Sequence, residues 1–474
     1  MPDPQAQDTR ERCLWAPRAW IDGRWQDAVV LRVDAAGRWA EITPGIGAHP
    51  PGATVLPGPV LPSLVDAHSH AFQRAFAGLA ERAGPGEKGA ADDFWSWRER
   101  MYGVALRITP GQLRAVAAQL YVELLCGGYT QVCEFHYLHR AGDGQPYDDR
   151  ATLAWALADA AADAGIGLTV LPALYERADF AEPALRQGQR RFESTPHEIF
   201  ESYRTLRSAR RPLLDAGVAI HSLRAASAAS IDELLRCIGD DDVAVHIHVA
   251  EQTREVDQCV AATGLPPIEW LCRSLRPDRR WQLVHATHAT PHEIDAVAAC
   301  GAGIVLCPST EANLGDGFAD LPRWLAARVP LALGSDSQVS RCWSEELRWL
   351  EYGQRLVKRQ RNVASAPAQP ATAARLFDRL LAGQGASAGL GRWGLVQGAR
   401  ADALVLDVEA AGLRGIPPSH SLDALVFATD APAFREVYVA GCRVVEAGRH
   451  AKAAAVGQRF DEAMAALWGD SDLA

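Results

Sequence analysis

Lysine is almost missing from this 474-residue chain: Lys88, Lys358 and Lys452 are the only ones, and every other basic side chain is an arginine. Basic residues as a whole are also in the minority, with 48 Lys and Arg against 58 Asp and Glu and a net charge of −10. Nucleic-acid binders usually carry a basic face, so that class is set aside, although a local arginine cluster can still serve an anionic small molecule. No apolar run is long enough to span a bilayer, and Met1 to Arg12 lack the apolar core of a signal peptide. The ten cysteines are scattered without a Cys-x-x-Cys pair. They read as reduced core residues of a cytoplasmic protein. Internal repeats are absent.

What is present is apolar and patterned. With 48% hydrophobic residues the chain can bury a large core and hold more than one domain. Residues 13–59 read as short strands joined by Gly/Pro turns, as in Ile21-Asp22-Gly23-Arg24-Trp25 and Val29–Val33. Pro57 to Pro62 then break the chain. Strand-like runs follow at 61–68, 128–137, 167–175, 217–224, 243–250, 281–288, 302–308 and 330–336. Helical stretches such as 109–126, 149–164, 196–215 and 291–300 lie between them. Eight strands alternating with helices fit an α/β fold, a (β/α)8 barrel over residues 60–388. After about 389 the texture returns to β, with a strand entry at 398–407 and a hairpin at 437–445. The two ends, 1–59 and 389–474, are expected to join into one small β-sandwich.

The chemistry sits at the ends of those runs. In Leu64-Val65-Asp66-Ala67-His68-Ser69-His70, two histidines two apart on a strand share a side and can converge on one ion. His248, His285 and Asp336 each close a further apolar run. Barrel active sites lie at strand C-termini, and a His/His/His/Asp set there is what a catalytic zinc site requires. His68, His70, His248 and Asp336 are the expected ligands of one Zn²⁺ per chain; iron or manganese also suits such a mixed N/O set. Asp336 can in addition accept a proton from the attacking water. His285 fits two roles, a fourth ligand or a donor beside the attacking water. Glu251, three after His248, is placed to protonate a leaving nitrogen. His246 lies one step deeper and reads as a core residue; His136, His139, His288 and His292 read as structural or solvated. The His-x-Glu with Pro-Cys-x-x-Cys pattern of another zinc deaminase design is absent.

These residues, in this order and context, resemble the amidohydrolase superfamily, and the resemblance covers essentially the whole chain. Many members hold two metals bridged by a carboxylated lysine from the fourth strand. No lysine lies between Lys88 and Lys358, so that bridge cannot form here; Glu176 is the nearest carboxylate that could replace it. The chain therefore resembles the one-metal branch of aminohydrolases, whose acid/base glutamate matches Glu251.

Local strings resemble more narrowly the members of that branch that hydrolyse N-formimino-L-glutamate to N-formyl-L-glutamate and ammonia in histidine degradation. They are His68–Gln73, Phe94-Trp95-Ser96-Trp97-Arg98, Glu134-Phe135-His136-Tyr137, His221-Ser222-Leu223-Arg224 and His248–Gln252. The resemblance implies a small dicarboxylate as substrate. Arg224, His221, Tyr137 and Arg98 are expected on its carboxylates and Gln73 on the formimino nitrogen, with Glu251, His285 and Asp336 as the reacting groups. It also implies a homodimer, with the 84–102 loop as a lid or subunit contact. Two other readings stand beside it. One is an aminohydrolase of the same fold acting on a purine, pyrimidine or triazine. The other, more distant, is a non-catalytic structural protein built on that fold.

Overall fold

A computed structural model describes residues 11–82 and 93–469. Two sheets organise it. The first is a closed parallel barrel whose strands, in chain order, are Leu64–Ser69, Tyr129–His136, Gly167–Leu174, Val218–Ser222, Val245–Val249, Trp281–His285, Gly303–Leu306 and Leu331–Leu333. The eighth pairs with the first, and the fourth with the third, which closes the ring. All but one of the strands are buried along their whole length, His221 in the fourth being half-buried. Helices outside and packed side chains inside leave no solvated face, so these segments read as continuous apolar runs rather than alternating ones.

The helices between the strands begin with a repeated device. Thr109-Pro110, Thr195-Pro196 and Thr290-Pro291 each open a helix, and Gln112, Glu198 and Glu293 complete a reciprocal capping box. Threonine and the N3 side chain satisfy backbone donors that a helix start leaves orphaned, while proline fits the first helical position. The expected 196–215 helix ends earlier, at Ser208. Pro212 cannot extend a helix, Arg210 and Leu213 turn left-handed, and Leu214–Ala216 instead form a short strand beside the third barrel strand.

The second sheet is built from both chain ends and has its own core around Leu14, Leu31, Trp39, Ala399 and Val405. Arg12–Ile21 and Arg24–Val33 pair antiparallel about Asp22-Gly23. Both turn residues have positive φ, 49° and 73°, the conformation that suits the strand twist and favours Asp-Gly. The two-residue strand Val60–Leu61 pairs with Ala403–Leu406 from the other end of the chain, so this sheet reaches into the residues leading to the first barrel strand. Part of the 84–102 loop, residues 84–92, lies outside the described residues. The remainder is the start of the helix Phe94–Ala105, capped by Asp93.

Candidate active site

Strand register brings the polar residues together. Asp336 lies just past the eighth strand, where its N–H donates to His68 O (2.9 Å) and its carbonyl accepts from His70 N (3.2 Å). Ser222 is registered with His248, and Val249 with His285, so the fourth, fifth and sixth strands end level. The side chains then converge. His68 Nε2 lies 3.0 Å from His248 Nε2 and 3.5 Å from Asp336 Oδ1, and His70 Nε2 lies 3.4 Å from the same oxygen.

The far sides of two of the rings explain their orientation. His70 Nδ1 meets the carbonyl of Phe135 at 2.9 Å and His248 Nδ1 that of His221 at 2.8 Å. Donation from Nδ1 turns each Nε2 lone pair inward, the usual outer support of a metal-bound imidazole. Burial pushes the pKa of His68, His70 and His248 down, keeping them in the neutral form that binds metal. Nitrogen atoms 3.0 Å apart beside a buried carboxylate fit a single cation; His68–His70–Asp336 and His68–His248–His285 both have metal-binding spacing.

Glu251 and His285 form the second half of the site. His285 Nε2 lies 3.5 Å from Glu251 Oε1 and 3.7 Å from Asp336 Oδ2. Its Nδ1 lies 3.4 Å from Oε1 of Glu311, a buried carboxylate on the short helix Pro308–Leu314 that follows the next barrel strand. Burial alone would discharge His285, but Glu251, Glu311 and Asp336 outweigh it and raise its pKa to about 10. Burial raises the Glu251 carboxyl to about 7. Glu255, one helical turn on, accepts from the N–H groups of Ala250 (3.2 Å) and Glu251 (3.1 Å), fixing the backbone that carries the acid.

Above this polar floor opens a pocket lined by Gln73, Arg98, Tyr137, His221 and Arg224, with Glu251, His285 and Asp336 at its base and aromatic walls that include Trp97, Tyr102 and Tyr175. Gln73 Nε2 donates to the Tyr137 hydroxyl at 3.1 Å. Arg224 is 4% exposed and its Nε, like that of Arg98, is buried without a hydrogen-bond partner. Burial opposes the Arg224 charge, yet Glu255, Tyr175, Glu251 and Asp179 hold its pKa above the ordinary value. Two guanidinium groups with open donors in one cavity fit an anionic ligand.

The family model of the amidohydrolases matches residues 60–444. This chain belongs to the amidohydrolase family. It is 46% identical, over 92% of its length and 95% of the relative's, to the formimidoylglutamate deiminase of Pseudomonas aeruginosa. Among solved structures it resembles an amidohydrolase from Brucella melitensis, with a TM-score of 0.90, 40% identity and coverage of 96% and 99% of the two chains. It shares its fold with a zinc-bound adenosine deaminase from Xanthomonas campestris, with a TM-score of 0.78, 21% identity and coverage of 96% and 98%.

Within this amidohydrolase the residues singled out from sequence gather at one place, with two exceptions in reading. Glu176 is no metal bridge: its carboxylate accepts from the N–H of Ser227 at the start of the helix Ala228–Ile238, and it belongs to none of the metal-spaced clusters among the described residues. Gln338, two residues after Asp336, is fully buried; its amide donates to Ser69 Oγ (3.1 Å) and Asp336 O (2.8 Å), tying the first strand to the segment after the eighth. His246 is a core residue held by the carbonyl of Ser387 at 2.7 Å. The sequence left Glu311 unmarked, because its approach to His285 from the helix Pro308–Leu314 is a tertiary feature, and Glu255 was missed although its spacing of four from Glu251 on a helix start was the available signal.

Proposed function

We propose that this chain is a zinc-dependent deiminase that hydrolyses N-formimino-L-glutamate to N-formyl-L-glutamate and ammonia. The carrying observation is the pairing of Arg98 and Arg224, each with a buried unpartnered Nε, above an acid/base group of Glu251, His285 and Asp336. The relative from Pseudomonas aeruginosa supports the same substrate. His68, His70, His248 and Asp336 would hold one zinc ion, which supplies Lewis acidity and lowers the pKa of a water towards neutrality.

The protein's own groups account for the rest. Arg224, with His221 and Tyr137, binds one carboxylate, and Arg98 the other. Gln73 orients the formimino nitrogen. Asp336 and His285 flank the water: Asp336 takes its proton as the new C–O bond forms, and His285, held charged by Glu251, Glu311 and Asp336, donates a hydrogen bond to the incoming oxygen. Glu251, its pKa raised to about 7 by burial, keeps a proton near neutral pH and delivers it to the departing nitrogen. Ammonia leaves, and the carbonyl product remains with both carboxylates still bound. A purine or triazine would leave the arginine donors unmatched, which favours the dicarboxylate. The homodimer expected from the resemblance and the three-part domain division (1–59, 60–388, 389–474) belong to the same reading. The ten unpaired cysteines support a reducing, cytoplasmic setting.

The test is ammonia release by metal-analysed protein from N-formimino-L-glutamate, with N-formimino-L-aspartate and guanine as comparators. Selective turnover of the glutamate compound with about one zinc per chain is the expected result. Turnover of guanine instead, or of no substrate by zinc-loaded protein, overturns the dicarboxylate reading.

A further inference from the structure

Trp95 stands where three arginines meet. The guanidinium carbon of Arg98 lies 4.6 Å from the centre of its ring, that of Arg224 5.4 Å, and that of Arg254 4.5 Å. They come from three different places: Arg98 is one turn along the same helix, Arg224 follows the fourth barrel strand, and Arg254 opens the helix Thr253–Thr263 three residues after Glu251. Three like charges around one ring repel one another. The counter-charges are unevenly shared: Arg98 pairs with Glu99 at 3.5 Å, on an exposed side chain, while Glu255, Glu251 and Asp179 act on Arg224. An indole face holds guanidinium groups by its quadrupole and by stacking. It therefore holds them without adding a counter-charge of its own.

We propose that Trp95 is a positioning residue that aims Arg98 and Arg224 into the pocket, and that Arg254 on the same ring is a specificity-determining third charge at the rim, selecting dianionic over monoanionic ligands. The inference rests on the dicarboxylate reading above and extends it to two residues outside the pocket lining. Arg254 is solvent-exposed, so it acts by capture: a charge at the rim raises the encounter rate with anions and is screened by salt. Trp95 is half-buried and acts through the two inner arginines, so its loss weakens binding and spares the bond-breaking step at the polar floor.

Steady-state kinetics of the zinc-loaded full chain with N-formimino-L-glutamate test this, with glutarate and butyrate as competitive probes. Trp95→Ala is expected to raise KM and the glutarate inhibition constant about tenfold, the scale of two weakened cation–π contacts, with kcat within about twofold of wild type. Trp95→Phe is expected to recover most of the loss, and Arg254→Ala to lower kcat/KM at low ionic strength and flatten its salt dependence. Unchanged KM and inhibition constant in Trp95→Ala, or a fall in kcat as large as the rise in KM, overturns the positioning role. If that variant does not fold, Arg254→Ala decides alone, and an unaltered salt dependence overturns the proposal. Thermal-shift binding of glutarate against butyrate separates the two readings: wild-type protein that prefers glutarate without processing N-formimino-L-glutamate keeps the dianion mouth and discards the reaction, whereas turnover without that preference does the reverse.

Discussion

Replacing Glu251 by Gln removes one proton and almost nothing else. The residue is 6% exposed, and its Oε1 faces His285 Nε2 at 3.5 Å. The backbone N–H is held by Glu255 at 3.1 Å, so an amide of the same shape has no reason to move. Glu251 belongs to neither of the clusters that contain His68, and zinc content is expected to stay at the wild-type value. What is lost is the proton for the leaving nitrogen. A positioned general acid is worth about 10²–10⁴ in rate, or roughly 3–5 kcal/mol of barrier at 1.36 kcal/mol per decade. The expected result is therefore a fall in kcat of that size, with KM changed by less than about threefold because the carboxylate contacts are elsewhere. Ammonia release, metal analysis and KM for N-formimino-L-glutamate read the three quantities separately. A variant that keeps more than about a tenth of wild-type kcat, below the range a general acid supplies, would refute the acid role; one that loses its metal would show Glu251 to be a ligand.

Other variants probe other parts of the site. Arg224→Gln removes a buried charge-assisted donor worth about 1.5–3 kcal/mol, so KM should rise between ten- and a hundredfold with a smaller change in kcat; equal KM values would place the carboxylate elsewhere. Glu311→Gln leaves His285 Nδ1 without its carboxylate and is expected to lower kcat about 10–100-fold with metal retained, the range found when the support of a site histidine is removed; full activity would make Glu311 a bystander. Burial raises Glu134 to about 8 from 4.5. A carboxyl raised in this way stabilises the fold below its unfolded value and loses that contribution as pH rises through its folded one. At pH 8 to 9 the loss is on the order of 4 kcal/mol, so the Tm of metal-free protein should fall from pH 5 to pH 9 less steeply in Glu134→Gln than in wild type; parallel curves would refute it.

How far the sequence could be read depended on the range of each interaction. His68 and His70 were legible because a strand turns alternate residues to one side, and Glu251 because it follows a histidine that closes another strand. The eight barrel strands were legible because burial on both faces leaves uninterrupted apolar runs. Locally coded features ended where the code changed: the helix expected to run to 215 stops at Ser208, where Pro212 and two left-handed residues overrule its apolar spacing. Tertiary features carried no such mark. Glu311 is 26 residues from His285, Asp66 holds Ser335 from 269 residues away, and Arg254 meets Arg98 only across a tryptophan face. Glu176 had the right charge near the right strand, but its oxygen caps a helix start instead.

Backbone geometry explains how the ends of the strands and the segments just past them hold such a site. Ala250, His285, Ala286, Asp336 and Gln338 all have positive φ, between 48° and 70°. An L-residue with a side chain held there costs roughly 1–2 kcal/mol, so five together require a surrounding structure that leaves no alternative. The barrel provides it. Ala286 N donates to Val249 O at 3.1 Å, Asp336 N to His68 O at 2.9 Å, and the Gln338 amide clasps Asp336 O and Ser69 Oγ. Below them the Asp66 carboxyl receives the N–H and hydroxyl of Ser335. At this strained backbone His285 lies between Glu251 and Asp336, 3.5 Å from one and 3.7 Å from the other. These two separations depend on that backbone. The barrel hydrogen bonds therefore hold that strain in place around the site.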